Sequence, residues 1–163
     1  MRKEKVINFF RVDHRLLHGQ VAQAWYGATG ANCILIANDE VAGDQLRKNV
    51  MKLAKPAGAK LVIQSIAKSA NSINSGVTDK YHVFVVVASI HDAYRLLQKL
   101  TIKIKELNLG GTSPSAEAES LSAAVGVTPQ DRKDLRKLQE KGMEIFIQQV
   151  PSEAKKVVNF RKE

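Results

Sequence analysis

Two histidines, two arginines and an aspartate crowd into Arg11-Val12-Asp13-His14-Arg15-Leu16-Leu17-His18, directly ahead of Gly19-Gln20-Val21. Imidazole titrates at about pH 6.5, so near neutrality much of it is uncharged and nucleophilic toward phosphorus as well as carbon. If His18 precedes a helix, an anion on its ring faces unpaired backbone N–H groups and the positive end of the helix dipole. Arg15 adds a planar, permanently charged donor fork to the same anion. Together these parts suit a phosphoryl group carried on histidine. Two other readings compete. His14 and His18 are four apart, which on a helix would align both rings as metal ligands, but the glutamate of His-Glu-x-x-His is absent, and no metal is expected. A histidine in a turn also serves simply as a surface or capping residue.

Other chemistry-bearing residues carry less. Gly110-Gly111-Thr112 reads as a strand ending in paired glycines, which a tight turn alone would explain. There is no Gly-x-Gly-x-x-Gly after the first strand and no Gly-x-x-x-x-Gly-Lys-Ser/Thr anywhere, which weakens dinucleotide and P-loop readings; no cofactor is expected. His82 and His91 flank an apolar run and read as structural, and Cys33 lies inside another such run, as a core thiol would.

The elements that must position the histidine loop follow from hydrophobic periodicity. Strand-length apolar runs alternate with segments of helical period, as in repeated βαβ units. Strands are expected at Val6 to Val12, Cys33 to Ala37, Lys60 to Gln64, His82 to Ala88, Glu106 to Leu109 and Ser122 to Val127. Met143 to Val150 alternates like an edge strand, although Phe146 breaks the alternation. Helices are expected at Gly19 to Ala28, Val41 to Ala54, Ile66 to Ile73 and Asp92 to Leu100. In the second, Val41, Leu46, Val50, Leu53 and Ala54 share a stripe. A last helix follows Thr128-Pro129, an N-cap with proline at the first helical position, and runs to Gly142. Thr112 to Ser120 is small and polar, hence loop. The expected fold is α/β: a three-layer, open, mainly parallel sheet with helices on both faces and an antiparallel edge strand near the C-terminus. Ligands of such sheets bind beyond the carboxyl ends of the strands, so the loops to inspect are Asp13 to Gly19, Asn38 to Glu40, Ser89 to His91 and Gly110 to Ser115.

Composition bounds the remaining possibilities. The chain has 163 residues, 44% hydrophobic and 25% charged, which is one domain of ordinary globular type without repeats or a linker. Its longest apolar run, Val83 to Ala88, is far too short to span a bilayer, and Arg11 interrupts the first apolar stretch where a signal peptide would continue. With a single cysteine and no internal disulfide, the expected location is the cytoplasm. A net charge of +9 admits nucleic acid, an anionic membrane, an acidic protein or a merely solvated surface. Arg2, Lys3 and Lys5 cluster at the start, and Arg95, Lys99, Lys103 and Lys105 follow at loose spacing. Aromatic residues, 6% of the chain, do not interleave with them, so no nucleic-acid partner is expected.

The stretch Arg11-Val12-Asp13-His14-Arg15-Leu16-Leu17-His18-Gly19-Gln20-Val21 resembles the signature Arg-Ile/Val-Asp-x-Arg-Leu-x-His-Gly-Gln-Val of the IIB components of the mannose, fructose and sorbose group of the bacterial sugar phosphotransferase system (PTS). Asn38-Asp39-Glu40-Val41-Ala42 followed by Asp44, Asn108-Leu109-Gly110-Gly111, and Gln149-Val150-Pro151 fall in that family's order, so the resemblance covers nearly the whole chain as one IIB domain.

The resemblance implies a phosphocarrier that accepts a phosphoryl group from a phosphorylated IIA protein and passes it to a sugar at a membrane IIC/IID permease. His18 would carry the group on Nδ1 and Arg15 would stabilise it. Asp13 would orient the loop, with Arg11, His14, Gly19, Gln20, Gly110, Gly111 and Thr112 as further phosphate or loop support. His14 occupies the motif's variable position, where an acidic or small polar residue is common, and would tune charge or touch the partner. IIA would be encoded separately, the protein would associate peripherally with the permease, and homo-oligomers are compatible with the family. Mannose, fructose, sorbose and an N-acetylated galactose all remain open as the sugar. The basic surface would dock IIA or the anionic cytoplasmic leaflet. The alternative of another class is a non-enzymatic regulatory or anion-binding module that uses the same loop.

Overall fold

The computed structural model describes residues 7–161. Val6 and the cluster Arg2, Lys3 and Lys5 lie outside the described residues.

Seven strands form the main sheet: β1 (Ile7–Asp13), β2 (Cys33–Ala37), β3 (Lys60–Gln64), β4 (Val83–Val87), β5 (Glu106–Gly111), β8 (Glu144–Ile147) and β9 (Lys156–Val158). Their order is β3-β2-β4-β1-β5-β8-β9. All neighbours are parallel except β8 and β9. The all-apolar strands β2 and β4 are buried at every position because helices cover both of their faces.

Alternation sends successive side chains into two cores. Phe10, Val12, Leu35, Val85, Leu107, Leu109 and Ile145 meet α4 (Ile66–Asn74), α5 (Ile90–Lys99) and α6 (Pro129–Glu140) on one face. Ile34, Ile36, Phe84 and Val86 meet α1 (Gly19–Thr29), α2 (Asp39–Ala42) and α3 (Gln45–Ala54) on the other. The sheet is the middle layer of three, as expected. Thr128 caps α6 in a reciprocal box with Asp131, with Pro129 in the first turn.

Four details differ from the expectations. The helix expected over Val41 to Ala54 is two helices, because the Asp44 side chain accepts the N–H of Arg47 and starts α3 afresh after Gly43. Val41 is buried, while Leu46, Val50 and Leu53 of the expected stripe face solvent. The segment Met143 to Val150 is not an edge strand. Its β8 pairs parallel with β5 and is covered on its outer side by β9, an antiparallel edge strand of three residues, too short to stand out in sequence. Phe146 breaks the alternation because both faces of β8 are buried. Finally, only Gly126–Val127 (β7) of Ser122 to Val127 pairs as strand, against β6 (Glu119–Ser120), which lies in the expected loop Thr112 to Ser120.

Candidate active site

β1 is central, and its carboxyl end delivers the histidine loop to the edge of the sheet where open α/β folds bind ligands. Alternation places Phe9 and Arg11 on the α1 face, since Phe10 and Val12 enter the opposite core. Phe9 stacks on Trp25 of α1 at 4.5 Å between centroids, and the Arg11 guanidinium lies 5.4 Å from the same indole.

Arg11 is 2% exposed, and a buried cation must be paired and hydrogen-bonded to be tolerated. Nη1 donates to Asn108 Oδ1 at 2.6 Å and to the Gln148 carbonyl at 3.2 Å. Nη2 donates to Asp13 Oδ2 and to the Gln149 carbonyl, both at 3.0 Å. Burial pushes the guanidinium pKa down, and the Asp13 charge and hydrogen bond oppose that. Arg11 is therefore a structural hub of β1, β5 and the segment after β8.

Gly110 follows from this hub. A Cβ there would stand 2.0 Å from Arg11 Cζ, so the guanidinium occupies the space a side chain would need. The β1–β5 register also shifts here: Val12 pairs with Leu109 and Asp13 with Gly111, leaving Gly110 as the extra residue. Gly110 thus makes room for Arg11, a different role from cradling a phosphate.

Asp13 organises the loop with both carboxylate oxygens. Oδ1 accepts the Arg15 N–H at 3.1 Å, while the Asp13 carbonyl accepts the Leu16 N–H at 2.9 Å. The turn drives Leu16 to φ +60°, an unusual conformation for leucine, held by burial of Leu16 and Leu17. Asp13 Oδ2 lies 3.2 Å from His18 Nε2. His18 is the N-cap residue of α1, its backbone extended and its side chain making no capping hydrogen bond. The first turn of α1 holds no acidic residue to compete for an anion. Gly19 has φ +42° with open space where a Cβ would project, so it is the backbone conformation there that favours glycine.

The other expected residues divide. Arg15 and Gln20 are exposed beside the loop. The His14 N–H donates to the Gly111 carbonyl at 3.1 Å, while its ring Nδ1 is buried without a hydrogen-bond partner among the described residues. His14 sits in the turn and His18 at the N-cap, so their spacing of four does not stack the rings along a helix. Thr112 binds the β6–β7 segment: its hydroxyl accepts the Gly126 N–H at 2.8 Å and its N–H donates to the Ala124 carbonyl. Cys33 is buried in β2, and desolvation raises its thiol pKa. His91 places Nδ1 3.3 Å from the buried Asp134 carboxylate, tying α5 to α6.

Asn108, Trp25 and the Gln148 and Gln149 carbonyls complete the network without having been expected in it. Trp25 Nε1 donates to the same Gln149 carbonyl as Arg11, at 2.9 Å. Asn108 left a trace in sequence, as an amide between Leu107 and Leu109 in an apolar strand, and both Asn108 and Gln149 fall within the segments that resemble the family. A separate cleft of about 730 Å³, lined by Ile7, Phe9, Ile104 and Phe146 among others, opens at the start of β1 and β5, the opposite end of the sheet from His18.

This α/β sheet, with a histidine held by a carboxylate at the end of its central strand, has close counterparts. Residues 7–161 match the PTS system sorbose subfamily IIB component family, and the chain belongs to that family. It is 30% identical over 147 residues to the sorbose-specific EIIB component of the PTS of Klebsiella pneumoniae, covering 90% of this chain and 89% of that one. It is 31% identical over 149 residues to the N-acetylgalactosamine-specific phosphotransferase enzyme IIB component 1 of Escherichia coli (strain K12), covering 91% and 93%. The crystal structure of the PTS N-acetylgalactosamine-specific IIB component 1 from Escherichia coli superposes with a TM-score of 0.87, at 30% identity over 94% of this chain and 99% of that one. The protein is thus a IIB component of a sugar phosphotransferase system, and among its described residues no helix is long and apolar enough to cross a membrane.

Proposed function

We propose that His18 is the phosphoryl carrier and that Nδ1 is the nitrogen that takes the group from a phosphorylated histidine of a IIA protein. The observation that carries this is the 3.2 Å approach of Asp13 Oδ2 to His18 Nε2. A carboxylate accepts, so Nε2 holds the ring proton and the Nδ1 lone pair is free to attack. As the Nδ1–P bond forms, the N–P bond of the donor breaks, and the donor ring, which carries a proton on its other nitrogen, leaves as neutral imidazole. The positive charge that develops on the His18 ring faces the Asp13 carboxylate, itself held by Arg11. The transferred group lies before the N-terminus of α1, where unpaired N–H groups and the dipole favour it, with Arg15 at hand in solvent. Catalysis is then mostly positioning and electrostatics.

In the second step a sugar hydroxyl at a IIC/IID permease attacks phosphorus, the Nδ1–P bond breaks, and the hydroxyl proton leaves to a base on the permease side. This reading puts the protein in the cytoplasm against the permease, acting as one IIB domain. Sorbose and N-acetylgalactosamine, from the names of the relatives above, are the first sugars to try.

The test incubates the protein with phosphoenolpyruvate, the general phosphotransferase proteins and a matched IIA, then reads intact mass and phosphopeptides. A single acid-labile phosphoryl group is expected on the native chain and on His14→Ala, and none on His18→Ala. Labelling that survives His18→Ala and vanishes in His14→Ala overturns the assignment. Absence of labelling in every variant with an active donor favours an anion-binding module.

A further inference from the structure

Helix α3 turns its larger apolar side chains outward. Leu46, Val50 and Leu53 are 74%, 60% and 89% exposed, whereas Met51 is the only residue of α3 that is fully buried. The three recur at i, i+4 and i+7 and fall within an arc of about 60° on the helix surface. Single exposed leucines are ordinary, but a continuous ridge along one helix marks a contact surface.

Charge identifies what the ridge can meet. From Gln45 to Lys60 the chain carries no carboxylate; the exposed Arg47 and Lys52 flank the ridge on either side, while Lys48 and Lys55 lie half-buried on the opposite face of the helix. The nearest acids sit before the helix: Asp44 is its N-cap, and Glu40 reaches Arg47 at 3.6 Å between exposed side chains. A second copy docking helix to helix would set cations against cations, and three side chains fall far short of the roughly 800 Å² per partner of a stable interface. An apolar ridge bordered by long cationic side chains suits an anionic lipid surface: the leucines and valine enter the acyl boundary while the cations snorkel to headgroup phosphates. We propose that α3 docks the protein on anionic bilayer through Leu46, Val50 and Leu53, held by the flanking cations. The inference is independent of the chemistry at His18.

Flotation with vesicles tests it, using equimolar phosphatidylglycerol and phosphatidylcholine against phosphatidylcholine alone. The native protein is expected to float with the anionic vesicles only, and less at raised salt. The triple variant Leu46→Ser, Val50→Ser, Leu53→Ser, which keeps the net charge, is expected to lose about tenfold or more in apparent affinity. A second variant, Arg47→Gln with Lys52→Gln, is expected to weaken binding as well. All five substituted positions are exposed, so thermal unfolding and phosphorylation of His18 by soluble IIA should be unchanged in both. Failure of the native protein to float overturns the proposal, as does full binding by the triple variant, which would assign the attraction to diffuse charge. Retained flotation with slowed transfer from IIA would reassign the ridge to a protein partner and also overturn it.

Discussion

Asp13 Oδ2 stands 3.0 Å from Arg11 Nη2 and 3.2 Å from His18 Nε2, so one carboxylate oxygen joins a buried cation to a part-exposed imidazole. The buried pair sets where the carboxylate points, and the carboxylate faces Nε2 of the ring.

Asp13→Asn keeps the shape of the side chain and removes its charge. Phosphoryl transfer from phospho-IIA to His18 should slow by roughly 10–100-fold, as expected when a reacting group loses its positioning. Rapid-quench labelling reads the rate. Nitrogen NMR of the ring separates this from a structural defect: the native protein should show the Nε2–H tautomer, and the variant a mixture.

Gly110→Ala places a methyl group where the Arg11 guanidinium lies. Urea denaturation should show a loss of about 1–3 kcal/mol, because the guanidinium cannot retreat without surrendering its four hydrogen bonds. Gly111→Ala should cost less, since its Cβ would meet only ordinary contacts at 3.6 Å and beyond.

Gln139 clamps the chain around β9. Its Nε2 donates to the Val158 carbonyl and its Oε1 accepts the Phe160 N–H, both at 2.7 Å. Gln139→Ala leaves two backbone groups without these partners and should cost roughly 1–3 kcal/mol. Hydrogen exchange should accelerate first across Lys156 to Phe160, ahead of β1 and β4.

Asp39 makes stability depend on acid. The Ile66 N–H, then Arg95, hold its carboxyl below the ordinary carboxylate pKa. The stabilisation is fully present above the unfolded value of about 3.9 and is lost as pH falls through the lower folded value. Asp39→Asn should therefore melt below the native protein at pH 6, and the gap should close on acidification toward pH 2. Melting curves across that range check the sign.

The βα alternation was legible because burial imposes a local period: Val83 to Val87 reads as a central strand and Thr128-Pro129 as a helix start from a few residues each. The break at Gly43-Asp44 was not, since an amphipathic stripe continues across it and only the capping geometry of Asp44 divides the helix. β9 was hidden because an exposed edge strand needs no apolar pattern.

In the candidate site, the histidine loop stands out by residue type, because two imidazoles, two guanidinium groups and a carboxylate fall within eight residues. The motif places Arg11 only among phosphate or loop support, because a cation at a strand end reads equally as ligand or scaffold until its burial and partners are known.

The sequence by itself determined the order of the elements and the loop in which His14 and His18 sit, since both depend on residues near one another in the chain. Only tertiary structure decided that Arg11 would meet Asn108, Gln148 and Gln149, about a hundred residues or more away. Those contacts exist because β5 lies beside β1 and β8 beside β5. The same packing directs Asp13 to Nε2 of His18 rather than to Nδ1, because it fixes how the carboxylate and the ring meet.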